Sequence, residues 1–377
     1  MSKPTNRIYI SVSNDLFSDM RVDKVCNTLV SMGFEVNLVG RKLPDSLPLS
    51  NRNYTTKRLK LLFKKGALFY AELNFRLFWY LLFKKHSVLL ANDLDTLLAN
   101  YWVSKLKGSK LVYDSHEYFT EVPELKEDSF AKNTWLKIEK RIFPKLKKVY
   151  TVCDSIADIY TTKYGVEVKV VRNIPRKEKI VNYKTREELG LPENKKLLLL
   201  QGAGINLDRG AEEMVEAMKY LSEDYLFVIV GGGDVFEKLK KIISTNQLEN
   251  KVLIKGKVPY KELIQYTYQA DLGLSLDKNT NLNYEFSLPN KLFDYIHHET
   301  PVLASNLTEI RKIIEENEVG WILQNHNPET IAKQIQTIFE NKKDYSVKKE
   351  NTKLASEKLR WENEELVLKE LYSDLLQ

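Results

Sequence analysis

The sequence predicts an α/β chain made of two Rossmann-like, doubly wound parallel-sheet domains. Three observations predict it. Short β-rich apolar runs alternate with helical patterns from end to end; there are twelve such runs, too many for one sheet; and the rhythm breaks once, in a polar stretch between residues 173 and 195. The first half holds IYISV (8–12), EVNLVG (35–40), SVLLA (87–91), KLVYD (110–114), KVYTV (148–152) and VKVVR (168–172). The second half holds KLLLLQG (196–202), YLFVIVGGG (225–233), KVLIKG (251–256), DLGLSL (271–276), PVLAS (301–305) and GWIL (320–323). Helical stretches such as GAEEMVEAMKYL (210–221) lie between them, which implies right-handed βαβ units. At the break, Asn173-Ile-Pro175 interrupts the pattern and Thr185-x-x-Glu188 reads as a capping box. The predicted division is 1–180, 181–355 and an amphipathic C-terminal helix over 356–377.

At 377 residues and 43% hydrophobic, the chain has the length and apolar content for two cores. Its two cysteines, Cys26 and Cys153, lie far apart, which argues for a reduced, intracellular protein without a disulfide framework. No Cys/His run has metal-ligand spacing. Met1 leads almost directly into RIYISVS with no apolar leader, so a cytoplasmic location is the expectation. The net charge of +7 is concentrated in one place. Residues 57–85 contain Lys57, Arg58, Lys60, Lys64, Lys65, Arg76, Lys84 and Lys85 against the single acid Glu72, which accounts for the whole excess.

Open α/β sheets bind ligands beyond the carboxyl ends of their strands, so the residues after each strand are the candidates. After LLLLQG comes Gly202-Ala-Gly204-Ile-Asn-Leu-Asp208-Arg209-Gly210 and then a helical pattern. Glycines admit close backbone approach, Asp208 has the chemistry of a helix cap, and Arg209 at a helix start suits a diphosphate. Glu285-Phe-Ser287-Leu288-Pro289-Asn290-Lys291-Leu-Phe-Asp294 reads as a second helix start, with Ser287 as cap and Pro289 in the first turn. There Lys291 and free N–H groups would meet phosphate, and Asp294 would hold the vicinal hydroxyls of a ribose. Gly231-Gly232-Gly233 follows YLFVIV without a GxGxxG pattern, so no dinucleotide cofactor is inferred.

Taken in order, Arg209-Gly210, GGGD, KVLIKGKVPYKEL, QADLGLSL, SLPNKLFDYI and TPVLASN resemble glycosyltransferase family 4. The first half resembles it through DMRVDKVCNTLVSMGFEVNLVG and KLVYDSHEYF, and the last helix through Trp361-Glu362. The likeness covers nearly the whole chain and rests on the run of motifs. It implies a GT-B fold, a nucleotide-sugar donor as co-substrate with no cofactor or obligatory metal, retention of anomeric configuration, and a final helix crossing back to the first domain. The family's ribose-binding acid falls on Asp294. Its other acid falls on Phe286, with Glu285 one residue earlier. Arg209 takes the position of its lysine; the position of its arginine falls within Gly202-Ala-Gly204, and Lys291 is the substitute. Donor residues on this reading are Gly204, Arg209, Gly232, Gly233, Lys257, Val258, Glu285, Ser287, Leu288, Pro289, Asn290, Lys291 and Asp294, with base contacts near Gly256–Val258.

In the first half, His116 follows KLVYD at a strand end, and the resemblance places such a histidine near the donor sugar and the reacting bond. His116, Arg209 and Lys291 are the catalytic candidates. Asp19, Arg21, Asp93, Asp95 and Glu117, also beyond strands, are the acceptor candidates, with Arg21 meeting a phosphate. Asp93-Leu-Asp95 has the spacing of a metal motif that this account does not require. The aromatic, leucine-rich stretch Ala67 to Phe83, with Glu72 and Arg76 paired i,i+4 and lysines at both ends, fits an in-plane helix on an anionic membrane better than a span. Two charges inside a span would cost roughly 2.5–3.5 kcal/mol each, whereas each base at an anionic surface contributes about 1 kcal/mol. Nucleic acid is not an expected partner, because the aromatics are embedded among leucines. The expected function is therefore sugar transfer onto a lipid-linked saccharide at the inner face of the plasma membrane, in cell-surface polysaccharide synthesis. The alternatives are a nucleotide-sugar epimerase on the same fold and a degenerate, membrane-associated binding protein.

Overall fold

Among the described residues thirteen strands form, twelve of them where the apolar runs lie. In the computed structural model, which describes residues 6–17, 19–44, 46–49, 51–177 and 182–376, they make two all-parallel sheets. The first contains β1 (Arg7–Asp15), β2 (Glu35–Lys42), β3 (Thr55–Lys60), β4 (Val88–Asn92), β5 (Lys110–Ser115), β6 (Lys148–Thr151) and β7 (Val168–Val170), in the order β3-β2-β1-β4-β5-β6-β7. The second contains β8 (Lys196–Gly202), β9 (Tyr225–Gly231), β10 (Val252–Lys255), β11 (Leu272–Ser275), β12 (Val302–Ala304) and β13 (Gly320–Ile322), in the order β10-β9-β8-β11-β12-β13. Helices cover both faces, so the central strands read as unbroken apolar runs. On β8, Leu198 and Leu200 enter one core layer with Phe227 and Ile229 of β9; Leu197 and Leu199 enter the opposite layer with Leu226 and Val228.

β3 has no counterpart among the predicted strands. Its sequence, TTKRLK, holds one apolar residue, because an edge strand needs no buried alternation. The expected boundary at 180/181 lies outside the described residues. The chain divides at Asn173/Ile174 instead: one unit takes Met1–Asn173 with Asn363–Gln377, and the other takes Ile174–Glu362. The single helix expected over 356–377 is two elements. Helix Lys342–Lys358 stops at Leu359, and helix Trp361–Ser373 follows. The break is held by Trp361, which is fully buried and donates its N–H to Pro175 O at 2.9 Å. The last residues join the first unit through Glu364 on Arg172 (2.6 Å) and Tyr372 edge-on to Phe34. The capping box forms as read: Thr185 N–H donates to Glu188 Oε2 (2.7 Å) and Glu188 N–H to Thr185 Oγ1 (3.2 Å).

Candidate active site

In the second sheet the chain leaves β8 toward β9 and β10 but places β11 and β12 on the other side. The carboxyl ends of β8 and β11 thus flank a topological switch point, where open sheets bind ligands. Asp277, two residues past β11, is fully buried there. Its Oδ1 accepts from Arg209 Nη1 at 2.7 Å and its Oδ2 lies 3.0 Å from Lys291 Nζ. Burial alone would raise this carboxyl; the charges of Lys291 and Arg209 overcome that and hold it below the usual carboxylate range. Arg209 also lies over the Tyr284 ring, 4.2 Å from its centre. Gly210 makes this approach possible: its φ is +75°, and a Cβ would fall 2.3 Å from Leu276 O. Gly210, not Asp208, is the cap residue of helix Ala211–Ala217, while Asp208 O accepts from Lys278 N. The sequence reading missed Asp277, whose only signal was an acid directly after a buried strand.

The glycine turns are knitted to each other. A Cβ on Gly231 would lie 1.8 Å from Gly202 O, and one on Gly233 1.8 Å from Ile205 O. Ile205 N–H donates to Gly232 O at 2.8 Å, and Asp234 Oδ1 accepts from Leu207 N–H at 3.1 Å. Packing between the loops therefore accounts for Gly233, expected from the sequence as a donor contact. Gly204 differs, being exposed with nothing nearer to a Cβ than 3.7 Å. Gly232 faces the Lys257 side chain; Lys257 is exposed, and Val258 packs on a core layer.

The helix expected to start at Ser287 starts at Asn290, with Pro289 as cap residue in extended conformation. Ser287 Oγ turns back to donate to Tyr284 O at 2.9 Å, closing the short helix Leu282–Glu285, and Leu288 packs on a core layer. Lys291 is thus in the first turn of an eight-residue helix, Asn290–His297. Asp294 lies one turn further along that helix. It is buried, and its Oδ2 accepts from Gln201 Nε2 (3.0 Å) and its Oδ1 from Tyr260 OH (2.9 Å). Thr267 Oγ1 donates in turn to Gln201 Oε1 at 2.7 Å. Glu285 Oε1 accepts from Thr308 N–H (3.3 Å) and Thr308 Oγ1 at the start of helix Thr308–Asn317, where a carboxylate suits the dipole. Glu285 Oε2 is buried without a hydrogen-bond partner among the described residues. It is the one unsatisfied carboxylate oxygen in the stretch 285–294.

In the first unit, Arg21 is not available to an acceptor phosphate. It is buried, clamps Asp114 through Nε (3.0 Å) and Nη2 (2.7 Å), and donates from Nη1 to Val171 O (2.7 Å). Asp19 caps helix Met20–Ser31 by accepting from Val22 N–H. His116 is held between carboxylates: Nε2 is 3.1 Å from Asp114 Oδ2 and from Asn92 Oδ1, and Nδ1 is 3.3 Å from Asp93 Oδ2. Burial opposes the imidazolium, but Asp93 and Asp114 outweigh it and raise its pKa to about 9. At neutral pH His116 is therefore a cationic donor and not a base. Asp93, at φ 58°, also accepts the His116 N–H at 2.8 Å; burial pushes its carboxyl up to about 6 in spite of His116. Burial does the same to Asp95, again to about 6, and its Oδ1 has no hydrogen-bond partner among the described residues. Glu117 is half-buried, and its carbonyl accepts from Ser115 Oγ.

The basic segment divides. Lys57, Arg58 and Lys60 lie on edge strand β3, where Arg58 pairs with Asp15 at 2.9 Å. Helix Gly66–Leu82 follows, with Glu72 and Arg76 paired at 2.7 Å. Phe69, Leu73, Leu77 and Leu81 are buried at i,i+4 spacing, while Leu68 (60%), Phe75 (65%), Trp79 (44%) and Phe83 (77%) stay exposed. Among the described residues no helix is long and apolar enough to cross a membrane.

Two all-parallel Rossmann-like sheets, one in each unit, are the architecture of the GT-B class. Residues 181–355 match the family described as glycosyl transferases group 1, and residues 20–176 match glycosyltransferase family 4. The chain belongs to these group 1, family 4 glycosyltransferases. Among curated relatives, the amylovoran biosynthesis glycosyltransferase AmsK of Erwinia amylovora is 27% identical over 177 residues, 46% of this chain. That match spans 40% of AmsK, less than half its length. The fold is shared with sucrose-phosphate synthase from Thermosynechococcus elongatus (TM-score 0.77, 16% identity, 98% of each chain). It is shared too with Anabaena Alr3699/HepE, solved in complex with UDP-glucose (TM-score 0.73, 13% identity, 98% of this chain and 99% of that one).

Proposed function

We propose that this chain transfers a hexose from a nucleoside-diphosphate sugar to a lipid-linked saccharide, with retention of configuration and without a metal ion, in cell-surface polysaccharide synthesis. The observation that carries this reading is the convergence of Arg209 and Lys291 on the switch point of the second sheet. The likeness to AmsK, an amylovoran biosynthesis glycosyltransferase, and to Anabaena HepE, which holds UDP-glucose, supports the same chemistry. In this mechanism Arg209, Lys291 and the start of helix Asn290–His297 meet the negative charge that grows on the leaving diphosphate. Glu285 Oε2 takes a hydroxyl of the transferred sugar. Asp294, bonded to Gln201 and Tyr260, fixes the wall of the nucleoside site and shares an oxygen with ribose. The first unit receives the acceptor at Asp95 and Glu117, with His116 offering a charged hydrogen bond. Helix Gly66–Leu82 lies on an anionic membrane through Leu68, Phe75, Trp79 and Phe83, flanked by Lys64, Lys65, Lys84 and Lys85. That would place the protein at the cytoplasmic face of the plasma membrane.

Thermal-shift screening against UDP-, GDP- and ADP-sugars tests the donor half of the proposal. One of them is expected to raise the melting temperature of the wild type and not of Arg209→Ala. A panel without any shift would sink the donor-site reading.

A further inference from the structure

Arg209 comes from the loop after β8 and Lys291 from the first turn of helix Asn290–His297, and no local sequence holds them together. Asp277 does, with one oxygen for each cation. A carboxylate with one cation would be a closed pair. With two, the cluster keeps one positive charge, and Arg209 keeps a buried Nε without a hydrogen-bond partner among the described residues. Ser275 Oγ, 3.4 Å from Asp277 Oδ2, adds only a weak donor. The Tyr284 ring restrains the plane of the guanidinium.

We propose that Asp277 is a positioning residue of the donor site: it anchors Arg209 and Lys291 side by side, so that their remaining N–H groups reach one diphosphate without rearrangement. The inference rests on the donor-site reading above. Without the carboxylate the two cations repel, each swings toward solvent, and the diphosphate has to gather them itself. An effect of opposite sign competes with this. Asp277 is an anion beside an anion site, and removing it strengthens the plain Coulomb attraction for phosphate. The direction of the measured change decides between them.

The test is a double-mutant cycle on the full chain: wild type, Asp277→Asn, Arg209→Ala and the double variant. Each is titrated calorimetrically with UDP, GDP and ADP at a temperature where circular dichroism shows it folded. Asp277→Asn is expected to weaken the nucleoside diphosphate that binds the wild type by tenfold or more. In the Arg209→Ala background the same change should cost less than threefold. Equal losses in both backgrounds would mean that Asp277 acts through general structure, and tighter binding would mean that it is only a competing charge; either overturns the proposal. Asp277→Glu keeps the charge and is expected to stay within threefold of the wild type, so a loss matching that of Asp277→Asn would also overturn it. If the wild type binds no nucleoside diphosphate, the donor-site reading fails first, and this inference falls with it.

Discussion

The two units gather charge at the same place in their sheets and use it in opposite ways. In the first, Asp93 and Asp114 face His116 and Arg21, two acids against two cations. Arg21 spends its contacts on Asp114 and a backbone carbonyl. In the second, Asp277 alone faces Arg209 and Lys291, and the surplus charge comes with an Arg209 Nε and a Glu285 Oε2 that have no hydrogen-bond partner among the described residues. A balanced cluster neutralises itself; an unbalanced one leaves a net positive charge, which is what the proposed donor site requires. Arg21 and Arg209 looked alike in sequence, each a strand-end arginine suited to phosphate, and burial separates them.

The largest effect that would break this comparison is on stability. Arg21→Ala leaves Asp114 buried and unpaired, and should cost roughly 3–5 kcal/mol in denaturant unfolding while leaving nucleotide affinity unchanged in protein that remains folded. A loss of nucleotide binding with normal stability would make Arg21 a ligand residue after all.

The pH dependence sharpens the contrast. The folded pKa of His116 is raised from 6.5 to about 9, so its contribution is complete below pH 6.5 and disappears as pH rises toward 9. The loss should be on the order of 3 kcal/mol and absent in His116→Asn. Asp93, raised from 3.8 to about 6, also makes folding less favourable as pH rises, but in that lower window. Unfolding free energies measured from pH 3.5 to 9.5 check both; a flat wild-type profile between 6.5 and 9 would show that the His116 clamp is not charged.

Glu285→Gln should lower turnover about tenfold, roughly 1.4 kcal/mol, with nucleoside diphosphate affinity within twofold, since only a sugar hydroxyl meets Oε2. Equal losses in both would make Glu285 simply the anchor of helix Thr308–Asn317. The smallest structural cost belongs to the exposed aromatic face. Trp79→Ser with Phe83→Ser should change stability by less than about 0.5 kcal/mol each, yet reduce flotation with anionic liposomes, as should Lys64/Lys65/Lys84/Lys85→Glu. Undiminished flotation of both variants would remove the membrane reading.

The sheets were legible because buried parallel strands are apolar throughout, and the switch point follows from strand order. β3 was not, since an edge strand such as TTKRLK buries little. Arg209 and Lys291 were legible as cations after strands, but Asp277 was a lone acid until the fold brought both to it. Ser287 misled because it has cap chemistry and makes a different bond, to Tyr284 O. The bonds of Asp294 to Gln201 and Tyr260 were not legible, because an acid one turn inside a helix looks the same in sequence whether it faces a ligand or a buried glutamine.

The most direct test of the central claim follows labelled sugar from a nucleotide sugar into a lipid extract, with wild type and Arg209→Ala side by side. Label should enter the organic phase with the wild type and fall by a hundredfold or more with Arg209→Ala. Equal transfer by the two proteins, or none by the wild type from any UDP-, GDP- or ADP-sugar, would contradict it.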